Sequence, residues 1–299
     1  MSSVAPVRRA LHVLSHPFHN GLEGIDMGAG PKRLLGSTAI WDDLTATGWE
    51  VKTEEIEAPD PSEPEMVRIA ESDRRLARAV RNAVDADAFP LVLAGNCISC
   101  LGTVGGARES GRRLGVVWFD AHPDFDTPDR SLGFLDAMGL AVLTGSGWKH
   151  LRETIPGFAA VAENDVVLVG VRDVEDYQRP SLEASHLVRF EGGELREDGL
   201  SGALAALAGR VDGVYLHIDL DALDSSEGRA NRFAASGGLS LAVLERSVEL
   251  VFRHAPVLAA AVTAYDPSLD QDRRVERAAG RVIAAIGRGA DRSAAASAR

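Results

Sequence analysis

The segment Gly115-Val116-Val117-Trp118-Phe119-Asp120-Ala121-His122-Pro123-Asp124 decides how this chain reads. An apolar run leads straight into three potential ligands at alternate positions. Successive side chains of an extended segment point to opposite sides, so Asp120, His122 and Asp124 face one way at a strand's end. A mixed carboxylate and imidazole set suits a divalent cation such as Mn(II). A polar surface turn around Pro123 is the bland alternative, and these residues alone do not decide between the two. A second element, His217-Ile218-Asp219-Leu220-Asp221-Ala222-Leu223-Asp224, again closes an apolar run with carboxylates. Ligands at two strand ends make coincidence a poor account and favour a two-metal site. Carboxylates that bridge two cations about 3.5–4 Å apart hold a water and lower its pKa, and the resulting hydroxide attacks an electron-poor carbon. No Gly-x-Ser-x-Gly elbow offers a serine nucleophile instead.

Around this segment, short apolar runs alternate with helical patterns. Candidate strands span 10–14, 49–53, 90–94, 115–120, 165–171, 186–189, 214–219 and 258–264. Several are apolar on both faces, as strands of a buried parallel sheet must be. Helical periodicity covers about 64–86, with Val67, Ala70, Leu76, Ala77, Val80 and Val84 as its stripe. A second helix follows Ser240, which suits an N-cap, and a third covers about 272–286. The alternation predicts an α/β fold, a three-layer αβα sandwich around a central, mostly parallel sheet of eight strands. No repeat or linker divides the chain, so 1–299 reads as one domain with a frayed tail over 288–299. In such sheets ligands bind beyond the carboxyl ends of strands, where both ligand groups fall.

Bulk properties narrow the function. A net charge of −12 speaks against a nucleic-acid backbone or an anionic membrane as partner. No signal-peptide pattern opens the sequence, and no apolar run approaches the roughly 20 residues of a membrane span. Cys97 and Cys100 are too close together for a disulfide scaffold, and a reducing cytoplasm fits them. Cys97 follows the strand at 90–94 after Gly95-Asn96. It reads as a small buried hydrophobe, as half of a redox or zinc pair, or as a soft ligand that tilts a hard site toward Zn, Co or Fe.

These motifs resemble the arginase/ureohydrolase family, which includes arginase, agmatinase, guanidinobutyrase and formimidoylglutamase. The matches are Gly95-Asn96-Cys97, Asp120-Ala121-His122-Pro123-Asp124 and Asp219-Leu220-Asp221-Ala222-Leu223-Asp224, with Ser225 where the last motif closes with Pro. Lesser landmarks follow in order: Gly30-Pro31-Lys32-Arg33-Leu34, Gly170-Val171-Arg172-Asp173, Gly237-Gly238-Leu239-Ser240 and Asp266-Pro267-Ser268. The resemblance implies an arginase-like fold and two divalent cations, Mn2+ foremost, with Zn, Co or Fe admitted by Cys97. It places Cys97, Asp120, Asp124 and Asp219 around one cation, and His122, Asp120, Asp219 and Asp221 around the other. Asp124 would also take the proton of the bridging water. The implied activity is that of an amidinohydrolase cleaving a C–N bond of a linear guanidino or amidine compound. A homo-oligomer, trimer or hexamer, is implied on the same ground.

Departures from the pattern carry information. Cys97 replaces the family's first metal-binding His, as in some relatives that hydrolyse hydroxylated arginine. Leu135-Asp136-Ala137-Met138 stands where arginases place a proton-shuttling His, so Asp136 is the candidate for that catalytic role, a loop carboxylate being the alternative. Ala264 replaces the Glu that grips a guanidinium, and Asp126 replaces an Asn that holds an amino-acid carboxylate. Glu175 and Gln178 fall where arginases recognise the α-amino group, or at an exposed helix start. Arg172 reads as a structural contact. His217 faces the way Asp219 does but lies deeper, and reads as a core or supporting histidine. Together these changes point to a small substrate other than L-arginine, N-hydroxylated amidines included. The alternative is a non-catalytic binding or regulatory protein on the same scaffold.

Overall fold

A single sheet of eight strands organises the computed structural model, which describes residues 9–108, 111–129 and 134–297. In chain order the strands are β1 (Arg9–His16), β2 (Trp49–Glu55), β3 (Ala88–Ala94), β4 (Leu114–Phe119), β5 (Val166–Val171), β6 (Val188–Glu191), β7 (Gly213–Asp219) and β8 (Val257–Thr263). Their spatial order is β2-β1-β3-β8-β7-β4-β5-β6, and every neighbouring pair is parallel. The expected architecture is present.

Side-chain alternation divides the core between the two faces. Leu91, Leu93, Val117, Phe119, Leu216 and Ile218 fill one side, while Val92, Val116, Trp118, Tyr215 and Ala261 fill the other. Six helices of eight residues or more are described: α1 (Thr38–Ala46), α2 (Glu65–Asp85), α3 (Cys100–Ala107), α4 (Glu197–Ala208), α5 (Leu241–His254) and α6 (Arg274–Ser297). Residues of α1, α4, α5 and α6 pack on the first face, and those of α2 and α3 on the second. Burial of both faces is the physical reason the inner strands are apolar throughout.

Local chemistry explains the boundaries. Ser240 caps α5, its Oγ accepting the Val243 N–H at 3.4 Å. Helix α3 is rich in glycine, a poor helix former, and sequence periodicity misses it. The glycines allow α2 and α3 to touch, since a Cβ at Gly106 would lie 2.4 Å from the Ala77 carbonyl oxygen. Helix α6 runs past Ile286 into the segment expected to fray, and Ala290 is buried there against the core. The alanine-rich sequence favours that continuation. Among the described residues, no helix is long and apolar enough to cross a membrane.

Candidate metal centre and active site

The four central strands, β3, β8, β7 and β4, deliver their carboxyl ends to one place. Beyond β3, Gly95 makes the turn, and no larger residue fits there because a Cβ would lie 2.3 Å from the Phe18 carbonyl oxygen. Asn96 and Cys97 follow. The Cys97 Sγ lies 3.1 Å from Asp219 Oδ2 and 3.3 Å from Thr263 Oγ1. Cys100, three positions on, instead reaches the Gly139 carbonyl oxygen at 3.5 Å, and both cysteines are free, so they do not act as a pair.

Beyond β4 and β7 the carboxylates are locked by their own backbone. Asp120 Oδ1 accepts the His122 N–H at 2.7 Å, and its Oδ2 accepts the Trp118 indole N–H at 2.9 Å. Asp219 Oδ1 accepts the Asp221 N–H at 2.7 Å. Asp221 Oδ1 accepts the Ala121 N–H at 3.2 Å, which ties the two strand ends together. The His122 Nδ1 sits 3.3 Å from Asp120 Oδ1 and 3.4 Å from Asp221 Oδ2. Asp124 is held with φ at +45°, in the left-handed region where a non-glycine residue is strained. Its Oδ2 is buried and has no hydrogen-bond partner.

The electrostatics ask for positive charge. Burial, reinforced by neighbouring carboxylates, pushes Asp219 and Asp124 well above the ordinary carboxylate range. Burial raises Asp120 as well. The Cys97 thiol is pushed up by burial and by the charges of Asp219, Asp124, Asp136 and Asp120. Against its desolvation, the Asp221 and Asp120 carboxylates lift His122 to about 12. Asp221, also against burial, is held below the usual range by the His122 charge. Four buried carboxyl groups around one imidazole are costly unless cations neutralise them. The donors are suitably placed: one ligand atom each from Asp120, His122 and Asp221 lies within 4.8 Å of the others, and so it is for Cys97, Asp120 and His217. The orphaned Asp124 oxygen and this donor chemistry fit a divalent metal centre.

A cavity of about 240 Å³ opens over these groups, a size for a small molecule. Its rim includes Asp126, Phe134, Asp173, Glu175, Tyr177, Gln178 and Phe233. Asp126 is buried and accepts the Tyr177 hydroxyl and the Gln178 amide, each at 3.0 Å. The Gln178 Oε1 in turn accepts the Glu175 N–H at 2.9 Å. Asp136 lines the cavity, yet its oxygens accept the Cys97 N–H at 2.5 Å and the Asn96 amide. Burial pushes it up to about 7. Ala264, with φ at +62°, lines the wall and offers no polar side-chain atom. Among the described residues the lining has no Lys or Arg.

Several contributors escaped the sequence reading. Asn231 bridges Asp221 Oδ2 and the Ala264 carbonyl oxygen, each at 3.0 Å. No motif surrounds it, so no local signal marked it. Trp118 was within reach of alternation, since it lies two residues before Asp120, whereas Thr263 meets Cys97 only through the tertiary fold. Arg172 donates to the carbonyls of Gly170, Asp221, Leu223, Ala235 and Ser236 at 2.8–3.1 Å, which clamps the loop after β7.

The sequence model of the arginase family matches residues 11–287. An arginase from Bacillus caldovelox is 29% identical over 264 residues, which cover 83% of this chain and 87% of that one. The structure of an arginase from Bacillus subtilis overlays with a TM-score of 0.81 at 24% identity, over 93% of this chain and 98% of that one. A formimidoylglutamase from Bacillus subtilis gives a TM-score of 0.74 at 17% identity, over 95% and 88%. Fold and family together define a hydrolase of the ureohydrolase class. The chain belongs to the arginase family.

Proposed function

We propose that this hydrolase uses two divalent cations, Mn2+ foremost and Zn, Co or Fe as alternatives suited to Cys97, to cleave a C–N bond of a small guanidino or amidine compound other than L-arginine. Cys97, Asp120, Asp124 and Asp219 would hold one cation, and His122, Asp120, Asp219 and Asp221 the other. When bound, the cations supply a water that is deprotonated near neutral pH and a Lewis acid for the substrate. The observation that carries this reading is the convergence of these donors from adjacent strand ends onto one cavity.

The chain's own groups divide the remaining work. Asp124, with a free buried oxygen, takes the proton of the attacking water and returns it to the leaving amine. Asp136 fixes the Cys97 backbone and stands beside the cavity as a second proton carrier. Asp126, Glu175 and Gln178 orient the far end of the substrate. The charges of Asp126, Glu175 and Asp173, with no basic residue in the described lining, favour a neutral or cationic end over a carboxylate. Ala264 suits an uncharged or hydroxylated amidine, because such a group needs no carboxylate partner. Phe134 and Phe233, with ring centroids 5.8 Å apart, form an apolar wall at the mouth.

Metal analysis of the purified protein, with product assays over a panel of guanidines, amidines and their N-hydroxy forms, tests the proposal. Two bound metals and release of urea, hydroxyurea or a urea-like fragment support it. A protein that stays metal-free in saturating Mn2+ counts against it. The commitment of Asp136 to hydrogen bonds and the loss of a polar group at 264 favour a second reading, a non-catalytic binding protein. Asp124→Ala separates the two, since it abolishes turnover only where there is turnover. The free, buried cysteines suit a reducing cytoplasm, and a homo-oligomer of trimer or hexamer type is expected from the family.

A further inference from the structure

We infer that His217 is a metal ligand, its imidazole joining Cys97 and Asp120 to complete the donor set on the Cys97 side of the cavity. The inference rests on the metal-hydrolase reading above and goes beyond its ligand set. Ligand atoms of Cys97, Asp120 and His217 all lie within 4.8 Å of one another, and all three residues are buried. Strand geometry brings them together. In β7, His217 is two residues before Asp219, so both project from the same face. On one side it is in register with Trp118 of β4, and on the other with Ala261 of β8. The small side chain of Ala261 leaves room, and the imidazole lies flat on the Trp118 ring, 3.5 Å between centroids and 12° between planes.

That stacking fixes the plane of the ring, and two contacts fix its nitrogens. Its Nδ1 is 2.7 Å from the Tyr215 hydroxyl, and its Nε2 faces Thr263 Oγ1 at 3.3 Å. The same Thr263 oxygen is 3.3 Å from Cys97 Sγ, so Nε2 lies on the sulfur side. With Nδ1–H donating to the Tyr215 oxygen, Nε2 presents a lone pair toward the cluster. A ligating histidine is ordinarily held in this way, through an N–H bond from its other nitrogen. One sulfur, one imidazole and one carboxylate form a softer set than the carboxylates around His122. The Cys97 side therefore favours Zn, Co or Fe over Mn.

The experiment uses the full chain loaded with zinc. Calorimetric titration of His217→Phe is expected to show one of two sites weakened by more than about 100-fold, while Thr263→Val stays within the roughly 10–100-fold that loss of an outer partner costs. A complementary arm leaves position 217 untouched: His122→Ala with one equivalent of zinc is examined by X-ray absorption. The expected spectrum contains one sulfur and one imidazole at the metal. Two wild-type-like zinc sites in His217→Phe overturn the inference. So does equal weakening in Thr263→Val, and so does His122→Ala that binds no zinc or binds it without imidazole scattering. Wild-type protein that takes up no metal at all overturns the hydrolase reading along with it, whereas the other failures leave that reading standing.

Discussion

The floor of the cavity and its mouth are built on different principles. Floor donors sit at the ends of β3, β4 and β7 or a few residues beyond them, and the carboxylates of Asp120, Asp219 and Asp221 are fixed by backbone N–H groups. The mouth rests on the loops after β4, β5 and β7, where Asp126 is held by the Tyr177 and Gln178 side chains. Asp173, Glu175 and Phe233 at that rim are exposed. Strand ends cannot shift without disturbing a core packed on both faces, whereas loop side chains can be exchanged at little cost. The contrast teaches that the donor groups are built into the rigid part of the molecule and the rim into its exchangeable part, which under the proposed function assigns chemistry to the floor and substrate choice to the mouth.

The largest effect belongs to the floor. Asp124→Asn keeps the shape but removes the proposed proton acceptor, and kcat is expected to fall by about 10³-fold in assays of product release. Next is the clamp between floor and mouth. Arg172→Ala strands five carbonyls, and urea denaturation is expected to register a loss of about 3 kcal/mol.

A third effect comes from the scaffold beside the site. His16, at the end of β1, is buried with neither ring nitrogen bonded, and burial lowers it to about 3. The unfolded chain carries an ordinary histidine near 6.5. Between those values the unfolded state binds the extra proton, so this contribution is complete above pH 6.5 and is lost as pH falls toward 3. The slope is about 1.4 kcal/mol per pH unit for one proton, and comparing His16→Phe with the natural chain in denaturation at several pH values isolates it. The smallest effect belongs to the mouth. Tyr177→Phe removes one partner of Asp126, and a rise in KM of roughly fivefold, about 1 kcal/mol, is expected with kcat nearly unchanged. Equal losses of kcat in Asp124→Asn and Tyr177→Phe would break the contrast between floor and mouth.

Legibility in the sequence follows the same division. Strands were readable because a sheet covered on both faces demands unbroken apolar runs, as in Leu91-Val92-Leu93-Ala94. Helix α3 was not, because Gly102, Gly105 and Gly106 serve its contacts with neighbours rather than its own propensity. At the site, the apolar runs placed Asp120 and Asp219 at strand ends, but Asp124, with φ at +45°, and Asp221, in a 3-10 turn, lie beyond the reach of alternation. Asn231 was not readable either, since it joins Asp221 to Ala264 from a loop without periodicity. His217 was seen on the correct face, but its stacking on Trp118 and its closeness to Cys97 depend on which strands adjoin β7.

By itself the sequence determined the layered α/β architecture and the position of Asp120 and Asp219 at the ends of apolar strands. Both depend on local periodicity, which a single strand or helix expresses without its neighbours. Only the tertiary structure decided that Cys97 meets Asp219 across 122 residues and Thr263 across 166. Strand order and register bring these groups together, and burial then gives their charges an energy that no isolated segment possesses.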